Sequence, residues 1–129
     1  MVVTAPRNLK PASAVPEFER DIVAECLGIA KTMGAYVEVI GQRKARGSGT
    51  TEGVTDTLVF CAGNVIAAEF KRADGTVNMR QHIAAERRFA RGVKTPVIRS
   101  ADEFVRLLNW CKRHCVREQG LPPGMETVV

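Results

Sequence analysis

Asp56, Glu69 and Lys71 are the residues of this chain whose types and spacing suit chemistry. Two short apolar runs, residues 57–61 and 64–68, lie between the acids and flank Ala62-Gly63. Glycine at a tight reversal adopts positive φ at low steric cost, so the stretch reads as a β-hairpin. With a two-residue turn Cys61 faces Asn64, and counting back along both strands sets Asp56 opposite Glu69. Alternation then puts Lys71 on the same face as Glu69. Opposed carboxylates repel across a ladder, and a divalent cation between them removes the conflict. Carboxylate oxygens are hard ligands that suit Mg²⁺, with Mn²⁺ able to substitute, and Mg²⁺ takes few protein ligands. With a lysine beside them, such a pair suits phosphodiester hydrolysis. The competing reading is a set of solvated charges on an exposed hairpin.

The elements that must position these residues follow from periodicity. Residues 1–15 carry no pattern and read as a flexible tail, as do the last ten or so, residues 119–129; a single domain spans residues 16–118. Pro16 can open a helix in which Phe18, Ile22, Cys26, Ile29 and Met33 form an apolar stripe, stopped by Gly34. Residues 35–40 alternate as a strand, and residues 42–53 form a basic, glycine-rich loop. After the hairpin, Asn78 caps a helix that runs to Arg91 before Gly92. Ile83, Ala84 and Phe89 are its apolar positions, and Arg80, Arg87, Arg88 and Arg91 its basic face. Residues 95–99 make a short strand, with Pro96 marking an edge or a start. Ser100 and Glu103 form a capping box for a last helix that ends before Gly120, its face made of Phe104, Leu107, Leu108 and Cys111. The order α-β-β-β-α-β-α implies an α/β fold with a small mixed sheet flanked by helices.

Composition frames the function. The chain has 129 residues, 45% hydrophobic and 26% charged, with net charge +5 and a pI near 9.3. Excess positive charge favours a polyanionic partner such as DNA. Arg43, Lys44 and Arg46 of the loop, with Arg72, Arg80, Arg87 and Arg88, are candidates for phosphate contacts, which position a backbone without reading sequence. Only Tyr36 and Trp110 offer a large polar-tipped aromatic surface, so little base stacking is expected. No apolar run suits a membrane span and no secretory signal is evident, which makes a cytoplasmic location the expectation. Cys26, Cys61, Cys111 and Cys115 are expected to stay reduced. Cys111, His114 and Cys115 could converge on zinc from one helix, but a fourth ligand at conventional spacing is missing, His82 and Cys26 being isolated.

At this point the motifs together resemble the VRR-NUC family of the PD-(D/E)XK nuclease superfamily. The resemblance is carried by GVTD ending at Asp56, AAEFK with Glu69 and Lys71, and NMRQ ending at Gln81. A glycine, a short strand and a Ser-x-x-Glu helix start follow, and Glu19-x-x-Ile22 is similar to the family's opening acidic motif. One departure is Thr55, where the family commonly has a proline that stiffens the strand entry without contributing a ligand. The resemblance implies Asp56, Glu69 and the Phe70 carbonyl as metal ligands, Lys71 as the catalytic lysine, and Gln81 orienting a water or ligand. Glu19 would reach the site from the first helix, with Asp21 and Glu25 as alternative carboxylates.

The activity implied is that of a Mg²⁺-dependent endodeoxyribonuclease leaving 5′-phosphate and 3′-hydroxyl ends, without a nucleotide cofactor. Compact proteins resembling this architecture often act as homodimers on branched DNA such as four-way junctions. The contact would come from an exposed apolar face of the last helix or from the strand edge near Pro96. A stand-alone chain of this size is consistent with a phage or mobile element in a bacterial host. The rival functions are a non-catalytic DNA-binding module and a subunit of a larger nucleic-acid processing complex.

Overall fold

The structure, a computed structural model, describes residues 19–39 and 57–129. In chain order the elements are α1 (Glu19–Met33), β1 (Tyr36–Val39), β2 (Thr57–Cys61), β3 (Asn64–Phe70), α2 (Met79–Phe89), β4 (Val97–Ile98), α3 (Ala101–Cys111) and α4 (Val116–Gln119). The expected order is present, with one short helix added. The strands form one mixed sheet in the order β1-β2-β3-β4. The first two neighbouring pairs are antiparallel, and β3 and β4 are parallel.

The hairpin between β2 and β3 turns at Ala62 and Gly63, with φ of 51° and 84°. Two positive φ values suit the twist of a two-residue hairpin, and Ala62 takes on a conformation that normally favours glycine or asparagine. Cys61 pairs with Asn64, as the turn requires, and the register continues to Thr57 opposite Ala68. Asp56 lies outside the described residues, so its pairing with Glu69 does too.

This register sorts the side chains into two faces. Val59, Cys61, Ile66, Ala68, Phe70 and Ile98 turn toward α1 and α3. They pack there with Ile22, Cys26, Ile29 and Met33 of α1 and Phe104, Leu107, Leu108 and Cys111 of α3. The described residues of the stripes expected on both helices are therefore the core, and Phe18 lies outside the described residues. Because α3's apolar face is fully buried, it cannot supply the dimer contact anticipated from sequence.

Two further expectations give way to long-range pairing. The last helix does not run unbroken to Gly120. The buried Asn64 side chain donates to the carbonyls of Cys111 (2.9 Å) and His114 (3.0 Å). Its oxygen accepts from the Val116 amide (2.8 Å), so one asparagine ends α3 and starts α4. The C-terminal stretch, expected to be loose, is docked. Val97 N–H donates to the Glu126 carbonyl (2.8 Å) and Val128 N–H to that of Thr95 (2.9 Å). Met125 is buried and Arg106 donates to the Pro123 carbonyl. These contacts extend the sheet beyond β4 and cover the edge near Pro96, which removes the second anticipated dimer surface. Among the described residues, no helix is long and apolar enough to cross a membrane.

Candidate active site

The opposite face of the sheet carries the polar residues. Along β3 and just past it, Ala67, Glu69 and Lys71 alternate with the core-facing Ile66, Ala68 and Phe70, and all six are buried. Glu69 is 2% exposed and Lys71 8% exposed. Burying an ammonium and a carboxylate is costly. A sheet needing only stability would carry apolar residues here. The Glu69 and Lys71 amides both donate to β4-side carbonyls, those of Pro96 (2.9 Å) and Ile98 (3.0 Å). Successive peptide groups alternate in direction, so the Phe70 carbonyl turns the other way, toward β2.

α2 lies over this face, and its start is built from Asn78 and Gln81. Asn78 Oδ1 accepts from the Gln81 amide (2.9 Å), while Gln81 Oε1 accepts from the Asn78 amide (3.0 Å), a complete capping box. The same Gln81 side chain donates from Nε2 to Glu69 Oε1 at 2.8 Å. Thus the glutamine expected beside the acidic site touches its glutamate directly. α2 has no acidic residue in its own first turn. Glu69, held against that turn from β3, supplies the negative charge that a helix N-terminus favours.

The orientation of α2 reverses the expected one. Of its expected apolar positions Ile83 and Phe89 are 43% and 44% exposed and Ala84 is half-buried, and Met79 is 70% exposed. The inward residues are Gln81, Ala85 and Arg88, spaced four and three apart on one face. A polar site under the helix, rather than an apolar core, sets which face turns in. The four arginines read as one basic face therefore divide. Arg80, Arg87 and Arg91 are exposed along one flank, and Arg88 is turned inward. Its Nε donates to Thr95 Oγ1 at 3.1 Å, and its Nη2 is buried with no hydrogen-bond partner among the described residues. Burial lowers the Arg88 pKa from its usual value, and the nearby Glu69 charge acts against that shift.

Arg99 gave no signal of importance in the sequence, yet it organises the loop beyond Lys71. Its Nη1 donates to the carbonyls of Arg72 (2.6 Å) and Gly75 (2.7 Å). Its other nitrogens grip both carboxylate oxygens of Glu126, at 2.8 and 3.1 Å. That hydrogen bonding holds the Glu126 carboxyl below its ordinary range, with attraction to the Arg99 charge adding to it. Arg72 itself is exposed and pairs with Asp74 (3.3 Å).

The remaining expected residues are distributed as follows. Glu19 is the first residue of α1. Arg43, Lys44 and Arg46 lie outside the described residues, as does Asp56. Among the described residues no group of three His, Cys, Asp or Glu side chains comes together. Cys111 is buried in the core, its thiol pushed up to about 12 by burial and, secondarily, by Cys61. Cys115 is exposed at the start of α4, and His114 stacks on Trp110 with ring centroids 3.6 Å apart. The three do not form a zinc site. Trp110 donates its Nε1 proton to the Gly120 carbonyl (3.0 Å) and is half-buried, whereas Tyr36 is exposed on β1. No family model, curated protein or solved structure matches the chain.

Proposed function

We propose that this protein is a metal-dependent DNA endonuclease with a PD-(D/E)XK-like core of the VRR-NUC kind. The observation that carries the reading is the buried Glu69 and Lys71 on one strand face, with Gln81 hydrogen-bonded to Glu69 from the helix above. A binding module has no need for an acid and a lysine held out of water, whereas hydrolysis needs both. Glu69 and the Phe70 carbonyl are hard oxygen donors and fit Mg²⁺ or Mn²⁺, with Asp56 completing the set. A bound cation there would polarise the scissile phosphate and make water more acidic.

Lys71 orients the attacking water or offsets charge developing on the phosphorus oxygens. Gln81 fixes the rotamer of Glu69. Water oxygen bonds to phosphorus, its proton is released, and the bond from phosphorus to the 3′ oxygen breaks. The 3′ oxygen takes a proton and leaves as hydroxyl, and the other end retains a 5′-phosphate. Arg80 and Arg87 on one exposed flank of α2, with Arg91 just past its end, would follow the backbone on either side of the cut. The substrate we favour is branched DNA, cut by a homodimer that sets two sites across one junction.

Linear, flap and four-way-junction DNA, incubated with the protein in Mg²⁺, Mn²⁺ or EDTA and with Lys71→Ala in parallel, tests this. Cutting that needs metal and is lost in the variant is the expected result. Salt-sensitive binding with intact DNA in every lane would instead make the chain a binding module. A monomeric mass by light scattering at micromolar concentration would remove the dimer.

A further inference from the structure

Arg88 is a charged group of this face with an unfilled donor among the described residues. It sits seven residues after Gln81, on the same inward face of α2, with the small buried Ala85 between them. Thr95 holds its Nε, and Thr95 is itself fixed, since its carbonyl accepts from Val128 N–H (2.9 Å) and Thr127 Oγ1 (3.2 Å). The guanidinium is therefore anchored at one nitrogen by a hydroxyl tied into the sheet. Its Nη2 is buried, and among the described residues no acceptor takes its protons. A buried donor without an acceptor is rare in native folds and calls for a ligand or a functional reason. For a cation the penalty of losing water is larger than for a neutral donor. The fold retains this arrangement next to Glu69, whose charge Arg88 feels.

An arginine fork pre-set at one nitrogen and unfilled at another matches the oxygens of a phosphoryl group. The flank arginines Arg80, Arg87 and Arg91 are exposed, so they can meet phosphates anywhere along a backbone. Arg88 shares its face with Gln81, which touches Glu69. Its anchor Thr95 lies two residues before Val97, the β4 partner of Glu69, so an oxygen bound to Arg88 is on the same sheet face as that carboxylate. Resting on the nuclease reading above, we propose that Arg88 binds the phosphoryl group being cut, its guanidinium donating to a non-bridging oxygen. The exposed arginines bind only the neighbouring phosphates. Lys71 and Arg88 then approach the reacting group from β3 and from α2 respectively.

The test compares wild type, Arg88→Lys, Thr95→Val and Arg87→Ala on one cleavable DNA. It measures affinity with Ca²⁺ in place of Mg²⁺ and the single-turnover rate at saturating protein in Mg²⁺. Arg88→Lys keeps the charge and loses the fork, so the rate is expected to fall about 100-fold, as for loss of one transition-state donor, with affinity nearly unchanged. Thr95→Val, which removes only the anchor, moves the rate in the same direction by less. It also serves as the deciding variant if Arg88→Lys does not fold. Arg87→Ala shows the opposite split, with its larger effect on binding, a shallower salt dependence and a smaller fall in the saturated rate than Arg88→Lys. If Arg88→Lys and Thr95→Val both cut at the wild-type rate, or lose affinity as Arg87→Ala does, Arg88 is not at the cut phosphate. A wild-type protein that binds but never cuts overturns the nuclease reading itself, and this assignment with it.

Discussion

The two faces of the sheet are made by one strand and are opposite in character. Toward α1 and α3, β3 presents Ile66, Ala68 and Phe70 to a continuous apolar core in which Phe70 meets Phe104 with centroids 5.9 Å apart. Toward α2 it presents Ala67 and Glu69, with Lys71 just beyond, and the helix meets them with Gln81, Ala85 and Arg88. The first face is held by area removed from water, the second by directional bonds between a few polar atoms. Shifting the strand by one residue would exchange the two sets and put both charges into the core. The stability of the first face therefore secures the register on which the second depends.

This contrast can be broken from either side. Phe104→Ala removes a fully buried aromatic ring and should cost about 3–5 kcal/mol in urea unfolding. The fraction that remains folded should still cut DNA, because the residue does not reach the polar face. Lys71→Ala should lower the cleavage rate by about 10²–10³-fold, or ~2.7–4 kcal/mol of barrier, measured in single turnovers. If Phe104→Ala instead abolished turnover in its folded fraction, the two faces would not be separable.

Smaller changes sharpen the boundary. Asn78→Ala removes one half of the capping box and should cost about 1 kcal/mol of stability. It should also slow cleavage slightly, since Gln81 then orients Glu69 from a looser turn; hydrogen exchange at the Gln81 and His82 amides reports the loosening. The smallest effect concerns pH. The Glu126 carboxyl titrates lower in the folded chain than in the unfolded one, because of Arg99. Its contribution is thus present above the ordinary carboxylate range and is lost as pH falls through the folded value. The stability gap between wild type and Glu126→Gln should narrow as the pH is lowered from about 7 to about 3, read from urea midpoints.

Most local signals are legible in the sequence and distant ones are not; Ser100 caps α3 as expected, but the Glu103 side chain accepts from the Arg99 amide rather than closing a capping box on Ser100. The stripes of α1 and α3, the Ala62-Gly63 turn and the Asn78 cap each depend on residues within a few positions of one another. They were legible for that reason. So was the spacing of Glu69 and Lys71, because strand alternation alone places them together. The facing of α2 was not, since its apolar residues pointed to a buried stripe and only a polar partner 12 residues upstream turned Gln81 inward. The four helix arginines look alike in the sequence, and tertiary packing alone sets Arg88 apart from Arg87. The C-terminal stretch reads as loose because it is rich in glycine and proline and lacks periodicity, yet its backbone meets residues 95–97 some thirty positions earlier. Arg99 was missed because its acceptors are carbonyls of another loop and a carboxylate 27 residues away.

The Gln81 side chain also explains a choice between two nearly identical residues. Glutamate and glutamine serve equally at the third position of a helix, because either offers an oxygen to the N-cap amide. Here the Asn78 N–H can only donate, so it selects the oxygen end of the Gln81 group and forces the other end toward Glu69. An amide meets that carboxylate with N–H; a glutamate would meet it with a second oxygen. The backbone of the helix start thus dictates the polarity seen by the acid beneath it, and glutamine is the residue whose two ends satisfy both neighbours.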